Sequence, residues 1–155
     1  MLAFQKKTAR LQRAVLGASR TADEAQERLD HVKAALHDTA GAARAGEMLD
    51  EARALENRLK DLRLVLFGDP VIGSHAEPTP PAITDRVGRV VYGNWFATSA
   101  PTKTHRDNYR IASEEFTEFL PRLRAMVEDL ENLEDRMEAA GSPWTPGRFP
   151  RWQAE

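Results

Sequence analysis

The strongest constraint on the fold is a 4-3 spacing of apolar or small residues through the first 39 positions. Residues three and four apart lie on one face of an α-helix, and a seven-residue repeat of this kind is typical of helices that pack lengthwise. We therefore predict one long helix over residues 3–40, about 50 Å at ~1.5 Å per residue. The spaced residues are Phe4, Thr8, Leu11, Val15, Ala18, Ala22, Ala25, Leu29, Val32, Leu36 and Thr39.

Similar periodicity predicts three further helices, over residues 44–67, 82–96 and 102–140. Gly68 and Pro70 end the second helix, and Gly141 is predicted to cap the last one in a left-handed conformation. Pro121 lies inside the last helix without changing its phase, and we expect a kink there because proline removes one backbone hydrogen bond. The apolar series are Ala45, Met48, Ala52, Leu55, Leu59, Leu62 and Leu66; then Ile83, Val87, Val90 and Trp95; then Tyr109, Ala112, Phe116, Phe119, Leu123, Met126, Leu130, Leu133 and Met137.

The sequence thus predicts a single all-α domain over residues 1–155. Its architecture is an antiparallel helical bundle of three long helices plus one shorter helix, with a Pro-rich loop at 68–81 and an irregular C-terminal tail at 141–155. Charge adds one conditional expectation. If the first and last long helices are antiparallel neighbours, basic residues from Lys6 to Arg20 meet the acidic residues between Glu128 and Glu138.

Composition excludes several classes of protein. The formal net charge is −2, which argues against a basic nucleic-acid-binding domain. No stretch approaches the ~18–20 apolar residues that a membrane-spanning helix needs. The chain has 0 cysteines, which excludes disulfides, thiolate metal sites and cysteine nucleophiles.

Catalytic and metal-binding patterns are weak. Bundle iron sites use Glu-x-x-His pairs, and no histidine here follows a glutamate by three residues. Glu27 and His31 are four residues apart and could share a surface zinc, although a solvated pair is the favoured interpretation. The acids of the last helix fall off its apolar phase and indicate a water-facing stripe rather than a desolvated catalytic pair. We predict no catalytic, cofactor-binding or metal-binding residues and no enzyme activity.

The first 20 residues contain five cations and no acid, a composition also found in transit peptides and membrane-surface helices. The unbroken apolar phase favours a helix of the bundle instead. Cations at Lys6, Lys7, Arg10 and Arg13 interrupt any signal-peptide core. The localisation is not defined by these residues.

Two proline-rich segments are the candidates for protein contact. Prolines reduce the entropy lost on docking, and tryptophan and arginine are common interface anchors. The alternative for the tail is that it folds back over the bundle and covers the core with Trp144. The candidate contact residues are Pro78, Pro80 and Pro81 in the loop, and Trp144, Arg148, Phe149 and Trp152 in the tail.

Four short motifs, three of them containing proline, occur in a specific order. They are Glu77-Pro-Thr-Pro-Pro81, Asp85-Arg-Val-Gly-Arg89, Thr98-Ser-Ala-Pro-Thr102 and Pro143-Trp-Thr-Pro-Gly-Arg148. With the helical stretches 28–36 and 50–55, they resemble the C-terminal helical region of bacterial sortilin-like, BNR-repeat β-propeller proteins, which are often labelled glycosyl-hydrolase-like. The resemblance covers residues 10–152.

The resemblance implies an accessory role for this chain. In such proteins a propeller precedes the helical region, and any hydrolase activity implied by the label belongs to residues that this chain lacks. We expect a non-catalytic interaction domain whose partner is the propeller of a parent protein, extracytoplasmic if that parent is exported. The alternatives are the accessory helical part of a glycan-active hydrolase, or a stand-alone bundle that pairs with a second copy through Ala18, Ala22 and Ala25.

Overall fold

The computed structural model describes residues 2–39, 42–70, 80–96 and 100–154, and these residues form four helices without a strand. The helices are α1 (Leu2–His37), α2 (Ala42–Phe67), α3 (Ile83–Phe96) and α4 (Lys103–Ala139). The all-α fold of three long helices and one shorter helix is therefore confirmed. None of the helices in the described ranges is long and apolar enough to cross a membrane.

The faces that the 4-3 spacing marks are the buried faces. Leu29, Val32, Leu59, Leu130 and Leu133 each have 0% of their surface exposed. Burying a side chain of this size contributes about 1.5–3 kcal/mol, so the stripes account for most of the stabilisation. The first residues of the series on α1 and α4 are less buried: Phe4, Leu11 and Tyr109 are only half-buried. The predicted burial of Trp95 lies outside the described side chains.

Both ends of α4 have a partner for their free backbone groups. The Thr102 hydroxyl accepts a hydrogen bond of 3.2 Å from the backbone N–H of His105, which makes Thr102 the N-cap of α4. At the other end Gly141 has φ +80°, and the N–H of Ser142 donates to the Met137 carbonyl at 3.0 Å. This is the glycine-capped termination that the sequence predicts. Gly68, with φ +81°, ends α2 in the same left-handed conformation.

The chain folds into two compact units. Unit 1 consists of Met1–Ala22 and Lys60–Leu123. In it the ring of Phe4 meets Tyr109 edge-on at 5.5 Å between centroids. The imidazole of His105 occupies the space that a Cβ on Gly93 would need, so glycine permits a close approach of α3 and α4.

Unit 2 consists of Asp23–Leu59 and Arg124–Glu155, and its contacts fix the directions of the long helices. Arg28 donates hydrogen bonds to Glu134. Just past the C-terminal ends of both helices, the Thr39 hydroxyl donates to the Ser142 hydroxyl at 3.0 Å. Residue numbers rise together in these contacts, so α1 and α4 run parallel. α2 is antiparallel to α4, because Arg58 pairs with Asp129 whereas Glu51 pairs with Arg136.

This parallel arrangement corrects one expectation from charge. The expectation required α1 and α4 to be antiparallel, and within unit 2 the two helices run parallel. Those acids instead meet arginines of unit 2. The pairs are Arg58 with Asp129, Arg28 with Glu131 and Glu134, and Arg148 with Glu134, Asp135 and Glu138.

A second correction concerns the alanine face of α1. Ala18, Ala22 and Ala25 have 5%, 0% and 1% of their surface exposed, so they pack inside the protein and cannot face a second copy. Pro121 lies within a continuous α4, as the spacing indicates. The kink expected at this proline stays a prediction.

Candidate functional site

The candidate site is the C-terminal tail of unit 2, which leaves α4 through Gly141 and folds back against it. Ser142 and Thr145 are 6% and 8% exposed, so the start of the tail is held against the protein. Thr145-Pro146-Gly147-Arg148 forms a tight turn, with the Arg148 N–H donating to the Thr145 carbonyl at 3.2 Å and Gly147 at φ +87°. Proline followed by a positive-φ glycine is the pattern of a type II turn.

The turn brings the guanidinium of Arg148 onto acidic side chains of α4. Its Nε donates to Glu138 and one Nη to Asp135, while Nη1 lies 3.9 Å from the carboxylate of Glu134. These hydrogen bonds raise the pKa of Arg148 above its ordinary value, and the bond with Glu138 has a larger effect than the bond with Asp135. Arg148 is therefore an internal anchor for the tail, although the sequence analysis includes it among the contact residues.

The deepest member of this acidic cluster is Glu134, whose surface is 2% exposed. Arg28 donates to it from Nε at 3.1 Å and from Nη2 at 2.6 Å, and the hydrogen bond to Glu134 is the main cause of the raised pKa of Arg28. Glu134 is not among the residues predicted from the sequence to have a role. Its burial could have been inferred from the sequence, because Glu134 lies four residues after Leu130 and three before Met137, which places its charge next to the apolar stripe.

Beyond the anchor the tail presents two uncovered aromatic side chains. Phe149 and Trp152 are 91% and 89% exposed, and Pro150 and Arg151 between them are exposed as well. Trp144 is 41% exposed, so it covers the protein surface only in part. The first half of the tail thus folds back on unit 2, as one predicted alternative has it, and Phe149 and Trp152 in the second half are exposed. Contact of the tail with a partner stays a prediction.

The proline-loop candidates lie in unit 1 and are less informative. Pro80 is exposed and Pro81 is half-buried. Pro78 lies outside the described residues. The loop prolines and the tail aromatics are not brought together within either unit.

The described part of the chain contains no cluster of three or more histidine, aspartate or glutamate side chains suited to a metal ion. Glu27 and His31, the zinc alternative, are both exposed on α1. The acids nearest the tail are engaged by Arg28 and Arg148, so their charges stabilise the fold and the tail anchor.

Comparison with known proteins adds no family to this description. No protein-family model, no curated protein and no solved structure matches the chain.

Proposed function

We propose that this chain is a non-catalytic helical accessory domain that contacts a protein partner through Phe149 and Trp152. The observation that carries the proposal is the contrast within the tail: an ion-paired anchor at Arg148 is followed at once by two aromatic side chains about nine-tenths exposed. Large aromatic residues are frequent hot spots of protein interfaces, and a short tether to a fixed point lowers the entropy cost of binding.

The partner that we propose is a β-propeller in a larger parent protein. Support comes from the resemblance of the four short motifs to the helical region of sortilin-like, BNR-repeat propeller proteins. Two of the exposed aromatic side chains directly follow the last of those motifs, which ends at Arg148. In this proposal the helical domain packs on the propeller and contributes no reacting group.

The first test measures the size of the native polypeptide, by blotting source cells with antibody against this domain. A band well above 17.4 kDa supports the parent protein, whereas a single band at that mass contradicts the propeller partner.

The second test locates the contact in the native protein with a photo-crosslinking residue at position 152. We expect crosslinks from position 152 to propeller peptides, and none from the matched control at position 57, which is exposed on α2 of the same unit. Equal crosslinking from both positions would contradict a role for the tail.

A further inference from the structure

The α1 outer face, meaning the exposed residues from Leu2 to Arg20, has a restricted composition. It lies wholly in unit 1, which includes α1 as far as Ala22. Every one of its residues is a lysine, an arginine, a leucine, an alanine or a glycine. The face therefore presents positive charge and apolar surface to solvent, without a carboxylate, an amide side chain or a hydroxyl group.

The cations of this face are not neutralised within the described part of the chain, where none of them forms an ion pair. They are Lys6, Lys7, Arg10, Arg13 and Arg20. Cations on the other helices of unit 1 do have acidic partners. Those pairs are Arg86 with Glu115, Lys103 with Asp107 and Arg110 with Glu114. The positive charge of α1 is thus free to attract an anionic partner.

Exposed leucines accompany the cations along the helix. Leu2 and Leu16 are 65% and 52% exposed, and with Ala9 they form a line of residues seven positions apart. A parallel line is formed by Lys6, Arg13 and Arg20. Each cation of the second line lies three or four residues, one helical turn, from a member of the first. Because α1 is one continuous helix here, the two lines run side by side for about 27 Å at ~1.5 Å per residue.

We propose that the α1 outer face docks on the surface of an anionic lipid bilayer, with its cations on the lipid headgroups and Leu2 and Leu16 reaching the edge of the acyl chains. Clusters of lysine and arginine are attracted to anionic lipids, and apolar side chains among them add burial at the interface. The helix stays packed in the protein, because Thr8 and Val15, which face away from this surface, are buried.

The leucines favour a bilayer over a nucleic acid as the anionic partner. Nucleic-acid surfaces commonly combine cations with aromatic rings for stacking or with amide side chains for base contacts, and the α1 outer face has neither. A nucleic acid would also leave Leu2 and Leu16 uncovered. A bilayer accounts for the cations and for the leucines together.

The inference uses no tail residue and does not rest on the propeller partner. Its test is co-sedimentation of the full chain with vesicles of phosphatidylcholine, either pure or containing about one-third phosphatidylserine. We expect at least about tenfold stronger partition onto the anionic vesicles at about 100 mM salt. Partition onto these vesicles should fall at least about tenfold at about 500 mM salt, because salt screens the attraction.

Substitutions separate the two contributions. Arg13→Ala should weaken partition about fivefold, the contribution of one cation near an anionic surface. Leu16→Ala should weaken it about threefold or more through lost apolar burial. The matched controls are Arg89→Ala, which removes an exposed cation unpaired within the described part of unit 1, and Leu64→Ala, at a leucine 46% exposed on α2. Both controls should leave partition unchanged, and circular dichroism checks that each variant keeps its helices.

The contact itself is read from a fluorescent label, since the chain has 0 cysteines. An environment-sensitive dye on Leu16→Cys should shift its emission to the blue on anionic vesicles, whereas the same dye on Leu64→Cys should not. Partition that is absent, equal onto neutral and anionic vesicles, or unaffected by either Arg13→Ala or Leu16→Ala would overturn the proposal. Tighter binding to a DNA duplex of random sequence than to the anionic vesicles would overturn it as well.

Discussion

Arg28 on α1 and Glu134 on α4 are joined by two hydrogen bonds, of 3.1 and 2.6 Å, although 106 residues separate them in the chain. The carboxylate is 2% exposed, whereas the guanidinium side chain is 28% exposed. A buried carboxylate is tolerated only when its charge is compensated, and here Arg28 does so directly while Arg148 approaches to 3.9 Å. This contact therefore fixes the register between α1 and α4 in unit 2.

Replacing Glu134 tests that register. Glu134→Gln keeps the shape of the side chain but removes the buried charge that pairs with Arg28, and we expect the free energy of unfolding to fall by about 1–3 kcal/mol. Urea denaturation followed by circular dichroism measures the change. Glu131→Gln is the control: Glu131 is 54% exposed and lies 3.9 Å from Arg28, so its loss should cost less than about 0.5 kcal/mol. Equal losses for the two variants would contradict a special role for Glu134.

Replacing Arg148 tests the anchor of the tail. Arg148→Met removes the hydrogen bonds to Asp135 and Glu138, so backbone amides from Ser142 to Arg148 should exchange with solvent at least about tenfold faster. Hydrogen exchange read by mass spectrometry measures this directly. Arg151→Met should change nothing, because Arg151 is exposed and unpaired within the described residues. Unaltered protection in Arg148→Met would show that the turn alone holds the tail.

The two glycines of α3 give opposite expectations. A Cβ at Gly88 would meet nothing within 4 Å, so Gly88→Ala should stabilise the protein by about 0.5–1 kcal/mol through helix propensity. A Cβ at Gly93 would overlap the imidazole of His105, and Gly93→Ala should cost about 1–2 kcal/mol despite the same propensity gain. Thermal unfolding of the two variants separates the effects. Adding His105→Ala to Gly93→Ala should recover much of the loss, and strict additivity would contradict the overlap.

Pro121 lowers the intrinsic stability of α4. A proline at this position cannot donate to the carbonyl of Thr117, and the residue is exposed, so no packing would be lost on replacement. We expect Pro121→Ala to stabilise the protein by about 1–3 kcal/mol, measured as a higher urea midpoint. A lower midpoint would mean that the shape imposed by the proline is needed for packing.

Lys33 couples stability to pH through two acids. Its hydrogen bond to Glu56 and, to a smaller extent, its hydrogen bond to Asp30 raise the pKa of Lys33 above 10.5. The contribution of Lys33 to the free energy of unfolding is therefore complete below pH 10.5 and is lost as the pH rises through the raised pKa. Lys33 also lowers the pKa of Asp30 below 3.8, so that contribution is present above pH 3.8 and is lost as the pH falls through the lowered value.

Lys33→Met should therefore flatten the dependence of unfolding free energy on pH at both extremes. The loss at neutral pH should stay below about 1 kcal/mol because Asp30 is mostly exposed. Urea titrations from about pH 3 to about pH 11 measure the profile. Lys7→Met, an exposed and unpaired cation within the described part of α1, should leave the profile unchanged.

Periodicity predicted the helices and their buried faces because both follow from the spacing of apolar residues along one element. The described helix ends differ by at most three residues from the predicted ones, as with α1, which ends at His37 rather than at residue 40. The direction of α4 relative to α1 could not be predicted in this way. It depends on which helices become neighbours after the loop before α3, and spacing within a helix carries no information on that choice.

For the tail, too, the residue types could be read from the sequence, whereas the contacts with α4 could not. Its prolines and aromatics predict a contact segment, and that prediction is not decided by the exposure of Phe149 and Trp152. Arg148 was grouped with the contact residues because the sequence alone does not show which side chains surround an arginine in a tail. Its carboxylate partners lie 10 and 13 residues earlier, one helical turn apart on α4, and only the turn at Pro146–Gly147 brings them together.

The parallel course of α1 and α4 has a consequence for how the chain folds. The contact between Lys33 and Glu56 closes a segment of 23 residues, whereas those of Arg28 with Glu134 and of Thr39 with Ser142 close segments of 106 and 103 residues. Loop closure costs more entropy as the segment lengthens, and high contact order slows folding. The hairpin of α1 and α2 can form early from local contacts, while α4 reaches its place only when nearly the whole chain is available.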